Sequence, residues 1–239
     1  MASSPLIRTI PIPELLRAVE MALGNVVPED DDIEDEYIVD ETTPTFEIEE
    51  KVEPSEISNE GYGFDVYKRA YPLNFRKEDG TIKRTHEIVY DVIAIEQPIH
   101  FEELCRRVAP LWDRQKVTSV VREEVSKIFD WYLKKFISKD KDEFVRLKDF
   151  TDVKVRIPNE NDDYLRPIGY ICDEELRIAM KTIAQNSFGI TPDDLFIVAA
   201  REFGYKRTGK DIVNALRSAY DNMLKLNEAT EIDGKVHIN

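Results

Sequence analysis

The chain repeats its own pattern after a shift of 91 residues, which places 99–147 onto 190–238 without a gap. Apolar residues coincide at positions that would face a core, as Leu104 and Leu195 do. Agreement in helical phase over one helix is common by chance, but this agreement extends through two helices, a turn and a strand. The repeat therefore predicts two copies of one small fold, related by an old duplication.

Each copy reads as a helix, a short extended piece, a second helix, a turn, a longer helix and a β-hairpin. In the first copy the longer helix is predicted over Val117–Phe136, with Tyr132 and Leu133 among the residues that face inward. The extended pieces Ile99-His100 and Ile190-Thr191 are placed to pair with the hairpins. This order is that of a winged helix. The predicted fold class is therefore mostly α with small β wings, arranged as tandem winged helix-turn-helix domains.

Charge is distributed unevenly along the chain. Residues 1–83 carry 8 Lys and Arg against 20 Asp and Glu, a net charge of −12 out of −15 for the whole chain. A protein that binds phosphates through its overall charge is expected to be basic, and this chain is acidic. Any contact with nucleic acid therefore needs a local basic face. Composition and pattern together predict an acidic, largely flexible region at 1–60 with a short helix at 13–24, an aromatic arm or linker at 61–83, a first winged helix at 84–157 and a second at 158–239.

Catalytic and metal-binding patterns are missing from the sequence. Cys105 and Cys172 lie in separate segments, which is typical of a protein from a reducing compartment, so we expect a cytoplasmic location. The His and Cys residues have no metal-ligand spacing, and no Ser or Cys has a recognisable nucleophile setting. Gly209-Lys210-Asp211 lacks the upstream glycine and the Ser or Thr of a phosphate-binding loop. We therefore expect no enzyme activity, no metal, no cofactor and no membrane association.

Two stretches, Glu96–Val108 and Ala199–Gly209, carry a resemblance to a known family. The segment from about Glu87 to Ile238 resembles the uncharacterised C-terminal domain of large bacterial superfamily-one helicase-like proteins, which often also carry a Vsr-like endonuclease domain. The resemblance implies association with DNA-processing machinery, in restriction or defence. It implies no activity for this chain, because the helicase and nuclease motifs of those proteins lie outside the resembling domain.

Cations at the start of each third helix are the candidate nucleic-acid contacts, because that helix enters the major groove in winged-helix proteins that bind DNA. Cations and free backbone N–H groups at a helix start can hold phosphates. A solvated helix start and a protein contact remain alternatives. The candidate residues are Lys206, Arg207, Thr208, Lys210 and Arg217 in the second copy, and Arg114, Lys116, Thr118 and Arg122 in the first.

The arm is unusually aromatic, with five rings between residues 61 and 75. The arm can pack back on the following domain, dock on another protein, or stack on bases. The candidate partner-binding residues are Tyr62, Phe64, Tyr67, Tyr71 and Phe75.

Two functions compete on these grounds. The first is a non-catalytic module that helps a helicase or nuclease complex contact DNA, with weak binding. The second is a protein-interaction scaffold that uses the acidic region and the aromatic arm. The fold and the third-helix cations favour the first, and the net charge of −15 favours the second.

Overall fold

A computed structural model describes residues 61–159 and 163–239, and the helix predicted at 13–24 lies outside them. The described residues form a mostly α-helical fold with small sheets, as the sequence predicts. The helices are α1 (Thr85–Glu96), α2 (Phe101–Val108), α3 (Ser119–Ile128), α4 (Asp173–Gln185), α5 (Pro192–Glu202) and α6 (Lys210–Lys225). The strands are β1 (Asp65–Val66), β2 (Ile99–His100), β3 (Ile137–Lys139), β4 (Phe144–Leu147), β5 (Arg156–Ile157), β6 (Ala229–Ile232) and β7 (Lys235–Ile238).

The first copy of the repeat, called the first unit, contains α1, α2, α3 and a three-stranded antiparallel sheet in the order β2-β4-β3. Ile99 of β2 is paired with Val145 of β4, so the predicted pairing of this extended piece with the hairpin is confirmed. The helix starts are fixed locally, since the His100 side chain accepts from the backbone N–H of Glu102 at 3.2 Å and Thr118 accepts from that of Val121 at 3.3 Å.

The second unit contains α4, α5, α6 and the β6-β7 hairpin, in the same order as the helices and hairpin of the first unit but without a strand equivalent to β2 among its described residues. Here the extended piece makes one backbone hydrogen bond, from Val236 N–H to the Ile190 carbonyl at 2.9 Å. Thr191 caps α5 by accepting from the Asp194 N–H at 3.2 Å, as a Thr-Pro helix start predicts. Helix α6, with 16 residues, is the longest described helix, and no helix of 61–159 or 163–239 is long and apolar enough to cross a bilayer.

The 91-residue offset recurs in the element boundaries. Helices α2 and α5 begin at 101 and 192, α3 and α6 begin at 119 and 210, and β4 and β7 cover 144–147 and 235–238. Leu104 and Leu195 are both fully buried, each in the apolar cluster of its own unit. The repeated sequence pattern thus corresponds to repeated helix starts and repeated core positions.

The third helix of the first unit departs from the sequence prediction. Helix α3 ends at Ile128, and Phe129–Leu133 continue as a π-helical turn instead of an α-helix to Phe136. A π turn holds one more residue than an α turn and so rotates the following side chains. Leu133 faces the core as predicted, but the prediction that Tyr132 faces inward is wrong, because its side chain is exposed.

Candidate nucleic-acid interface

The start of α6 presents three exposed cations on a well-anchored loop. Tyr205 is buried and its hydroxyl donates to the Arg166 carbonyl at 2.5 Å, so the loop is held directly before Lys206 and Arg207. The neighbouring turn requires glycine at 204, where φ is +87° and a Cβ would lie 2.6 Å from Pro158 Cγ. The tertiary fold therefore directs this pair of cations into solvent.

Helix α6 itself begins without a side-chain cap, at Gly209. Its first backbone N–H groups are therefore left to water or to a ligand, and the helix dipole favours an anion there. Lys210 stands at the first helical position and is exposed, and Thr208 just before the cap is partly exposed. Within the described residues, Lys206, Arg207 and Lys210 make no hydrogen bond or ion pair, so these three cations can meet a ligand without losing a partner.

Arg217 faces a different environment, although it lies on the same helix. It is 3.8 Å from the Asp193 carboxylate, and its guanidinium lies 5.8 Å from the centre of the Phe196 ring. It lines a groove of about 470 Å³ whose other walls include the carboxylates of Asp193, Asp221 and Glu231. These carboxylates disfavour a phosphate beside Arg217.

The predicted cations of the first unit are more engaged. Arg122 holds Glu102 through two contacts, Nε to Oε1 at 2.7 Å and Nη2 to Oε2 at 3.1 Å. Thr118 is used as the cap of α3, and Arg114 is half-buried. Lys116 is exposed and makes no ion pair within the described residues. The two helix starts therefore differ: the second offers an unpaired cluster and the first does not.

The aromatic arm contacts both units. Strand β1 pairs in parallel with β5, and Tyr62 and Phe64 stack at 5.4 Å against the second core. Tyr67 is buried, Phe75 packs on the first core, and Tyr71 is 72% exposed. Four of the five candidate rings thus contact this chain itself, and deletion of 61–75 would also remove internal packing.

Beneath the arm lies a buried ionic network that the sequence pattern did not indicate. Glu96 on α1 accepts from the hydroxyl of Tyr67, from the Ala70 backbone N–H at 2.8 Å and from Arg107 Nε at 2.8 Å. Burial, followed by the Glu96 carboxylate, raises the pKa of Tyr67, so this phenol stays a proton donor. Glu96 thereby ties the arm and α2 to the end of α1.

A second carboxylate, Glu175 on α4, joins the two units. It accepts from Arg156 Nη2 and from Arg166 Nη2, each at 2.7 Å. The same Arg156 donates to the carbonyls of Glu96 at 2.7 Å and Pro98 at 3.1 Å, at the end of α1. One guanidinium thus connects a helix end of the first unit to a buried acid of the second.

This network predicts a loss of stability in acid. Burial acts to raise the pKa of Glu175, but attraction to Arg166 and Arg156 and their hydrogen bonds outweigh burial and leave the pKa below its ordinary value of 4.5. A carboxylate whose pKa is lowered by folding stabilises the fold above its unfolded pKa, and this contribution is lost as the pH falls through the folded pKa. Urea unfolding at a series of pH values is expected to show the midpoint falling below about pH 4.5.

Glu175→Gln provides the control for that series, because glutamine cannot ionise. The variant is expected to be less stable at neutral pH, and its midpoint is expected to fall less steeply on acidification. An equally steep fall in the variant would show that other carboxylates dominate acid unfolding.

Both cysteines, Cys105 and Cys172, are buried free thiols. Burial raises the pKa of the Cys105 thiol to about 12 and that of Cys172 to about 11, so neither is a thiolate at neutral pH. Among 61–159 and 163–239, no group of three or more His, Cys, Asp or Glu side chains could hold a metal ion.

Comparisons with protein-family models, with curated proteins and with solved structures found no match to this chain. The resemblance of residues 87–238 to the helicase-associated domain therefore stays a prediction from its motifs.

Proposed function

We propose that this chain is a non-catalytic tandem winged-helix module that binds nucleic acid at the start of α6 and assists a DNA-processing or defence complex of the helicase or nuclease kind. The observation that carries the proposal is the unpaired cation cluster of Lys206, Arg207 and Lys210 at an uncapped helix start. Its position in the third helix of a unit with hairpin and helices in winged-helix order supports the same reading.

The charge of the chain defines the kind of binding that we propose. The full chain carries −15, so long-range attraction to a polyanion is absent and contact depends on the local cluster. Binding through phosphates alone is independent of sequence and falls steeply with salt. We therefore expect weak binding without strong sequence preference, driven by release of counterions.

Replacing the three cations tests the proposal. Fluorescence anisotropy of labelled duplex DNA, single-stranded DNA and RNA is measured with the full chain at rising salt. In the triple variant Lys206→Ala, Arg207→Ala and Lys210→Ala, we expect the affinity at low salt to fall about 10-fold or more. We also expect the slope of log affinity against log salt concentration to be smaller by about 2–3, since each lost phosphate contact lowers it by about 0.9.

The matched control removes three exposed lysines away from the start of α6, Lys68, Lys154 and Lys225, the last of which lies at the opposite end of α6, and so changes the net charge by the same amount. This control is expected to retain most of the affinity. No binding by the unchanged chain at about 10 µM and low salt would refute the proposal, since non-specific binding by such modules reaches about 10⁻⁴–10⁻⁶ M even at physiological salt and is tighter at low salt. Equal losses in both variants would refute the assignment to the start of α6.

A further inference from the structure

Five aromatic side chains from α1 and from residues 131–136 lie at or near the surface of the first unit, and four of them form two contacting pairs. Tyr132 stacks on His86 with ring centroids 4.5 Å apart, and Phe136 meets Tyr90 edge to face at 6.4 Å. His86 and Tyr90 lie one turn apart on α1, so the two pairs are neighbours. Tyr132 is 51% exposed, Phe136 is 56% exposed, and the adjacent Trp131 is 72% exposed. We call these five side chains the aromatic platform.

The π turn creates the aromatic platform. In the second unit, α6 runs as an α-helix to Lys225, and Met223, which occupies the position equivalent to Tyr132, is fully buried. In the first unit the extra residue of the turn buries Leu133 and turns Tyr132 outward. A π turn inside a helix is rare and is often found at functional sites. The second unit carries no counterpart of this surface, so the platform is not a general property of the repeat.

Among the residues that the structure describes, three lysines without an ion pair near the aromatic platform outnumber Asp130 and Asp149, the acids next to Trp131 and Lys148 in the chain, so the local charge favours an acidic ligand. The two acids on α1 beside it are already paired, Glu87 with Lys77 at 2.6 Å and Asp91 with Lys83 at 2.5 Å. Lys134 and Lys135, between Tyr132 and Phe136 in the chain, are exposed and make no ion pair within the described residues.

Lys148 adds a third cation at the same place, because its Nζ lies 2.9 Å from the Lys134 carbonyl oxygen. In the described part of the chain the Lys148 ammonium contacts this neutral carbonyl and makes no ion pair, so no carboxylate neutralises its charge. Exposed rings bordered by unpaired lysines match a ligand that has both apolar side chains and carboxylates.

Residues 29–60 of the same chain have that composition. They contain 15 Asp and Glu against one Lys, a net charge of −14, whereas residues 61–239 together carry −1. Apolar residues are interspersed among the acids, and they include Ile33, Tyr37, Ile38 and Phe46. The tether from Tyr37 to Gly61 can span up to about 80 Å when extended. A tethered ligand has an effective concentration in the millimolar range, so even contacts of modest affinity are enough to keep the segment bound.

We propose that the acidic segment 29–60 docks on the aromatic platform of its own chain. Tyr132, Phe136 and Trp131 bury its apolar side chains, and Lys134, Lys135 and Lys148 neutralise its carboxylates. The docking depends on both the apolar contacts and the charge attraction. High salt therefore weakens it, because the distance over which charges attract falls to about 3 Å at 1 M salt. It is independent of nucleic-acid binding at α6.

Quenching of Trp131 by acrylamide tests the docking in the full chain. Trp112→Phe leaves Trp131 as the sole tryptophan, since the chain has two. Acrylamide is neutral, so salt does not alter its approach to the ring. We expect Trp131 to be shielded at about 50 mM salt and quenched several-fold more at 1 M. A second chain, in which the seven acids of 29–36 are replaced by Asn or Gln, is expected to show strong quenching at both salt concentrations.

Strong quenching of Trp131 under all conditions would overturn the proposal, because the ring would then be uncovered. Shielding that depends on protein concentration would also overturn it, in favour of a second copy as the occupant. A cross-linking measurement covers the case in which Trp112→Phe fails to fold. Phe136→p-benzoylphenylalanine is irradiated in the otherwise unchanged chain. Cross-links to 29–60 within one chain support the docking, and cross-links elsewhere or between chains contradict it.

Discussion

Glu175→Ala is expected to lower the free energy of unfolding by about 3–5 kcal/mol, because it leaves one buried and one largely buried guanidinium group without their carboxylate. Arg156 and Arg166 both donate to Glu175 at 2.7 Å, and the Glu175 side chain is fully buried. Water cannot replace the lost acceptor easily at this depth, so the cost is that of an uncompensated buried charge. Urea unfolding followed by circular dichroism measures the change directly.

Glu174→Ala is the matched control, since it is the preceding residue on the same helix. Its carboxylate is 40% exposed and lies 3.2 Å from Arg146, and such a pair contributes about 0–1 kcal/mol. Glu175→Gln retains the shape and one acceptor oxygen and is expected to be intermediate. If Glu175→Ala were no more destabilising than Glu174→Ala, the connection between the units through Glu175 would be wrong.

Glu96→Ala is expected to destabilise the fold by a similar amount, about 3–5 kcal/mol, and in addition to loosen the arm. Glu96 is buried and accepts from Tyr67, from the Ala70 N–H and from Arg107. Its removal leaves Arg107, also buried, with Glu103 as its remaining acid at 2.6 Å. Hydrogen exchange resolves the local part of the effect, because the Ala70 amide loses the acceptor that protects it.

Two other variants separate the local effect from the global one. Asp91→Ala removes an acid from the same helix, one that is partly exposed and paired with Lys83, so a change within about 1 kcal/mol is expected. Glu175→Ala lowers global stability but leaves the acceptor of Ala70 in place. Faster exchange at Ala70 in Glu96→Ala than in Glu175→Ala at equal stability is therefore the expected signature. Equal exchange in both would argue that Glu96 does not anchor the arm.

The candidate nucleic-acid cluster could be found from sequence because its elements are local. Lys206, Arg207 and Lys210 flank Gly209, and a helix start is determined by residues within one turn. The cations predicted in the first copy also lie near a helix start, but Arg122 there is paired with Glu102, 20 residues earlier in the chain. Which cations lack a partner depends on such distant contacts, so the sequence predicted the positions without showing that the two copies differ.

The sequence by itself determined the order of the helices, the starts of α2, α5 and α6, the start of α3 to within two residues, and buried positions such as Leu104 and Leu195, because apolar periodicity and caps act over one or two turns. Only the tertiary structure decided which way Tyr132 faces, because the π turn shifts the phase of the helix to bury Leu133. It also decided that Arg156 joins Glu175 to carbonyls about 60 residues away, at the end of α1. Contacts of that separation leave no local pattern in a sequence, because each partner alone is only one more charged residue.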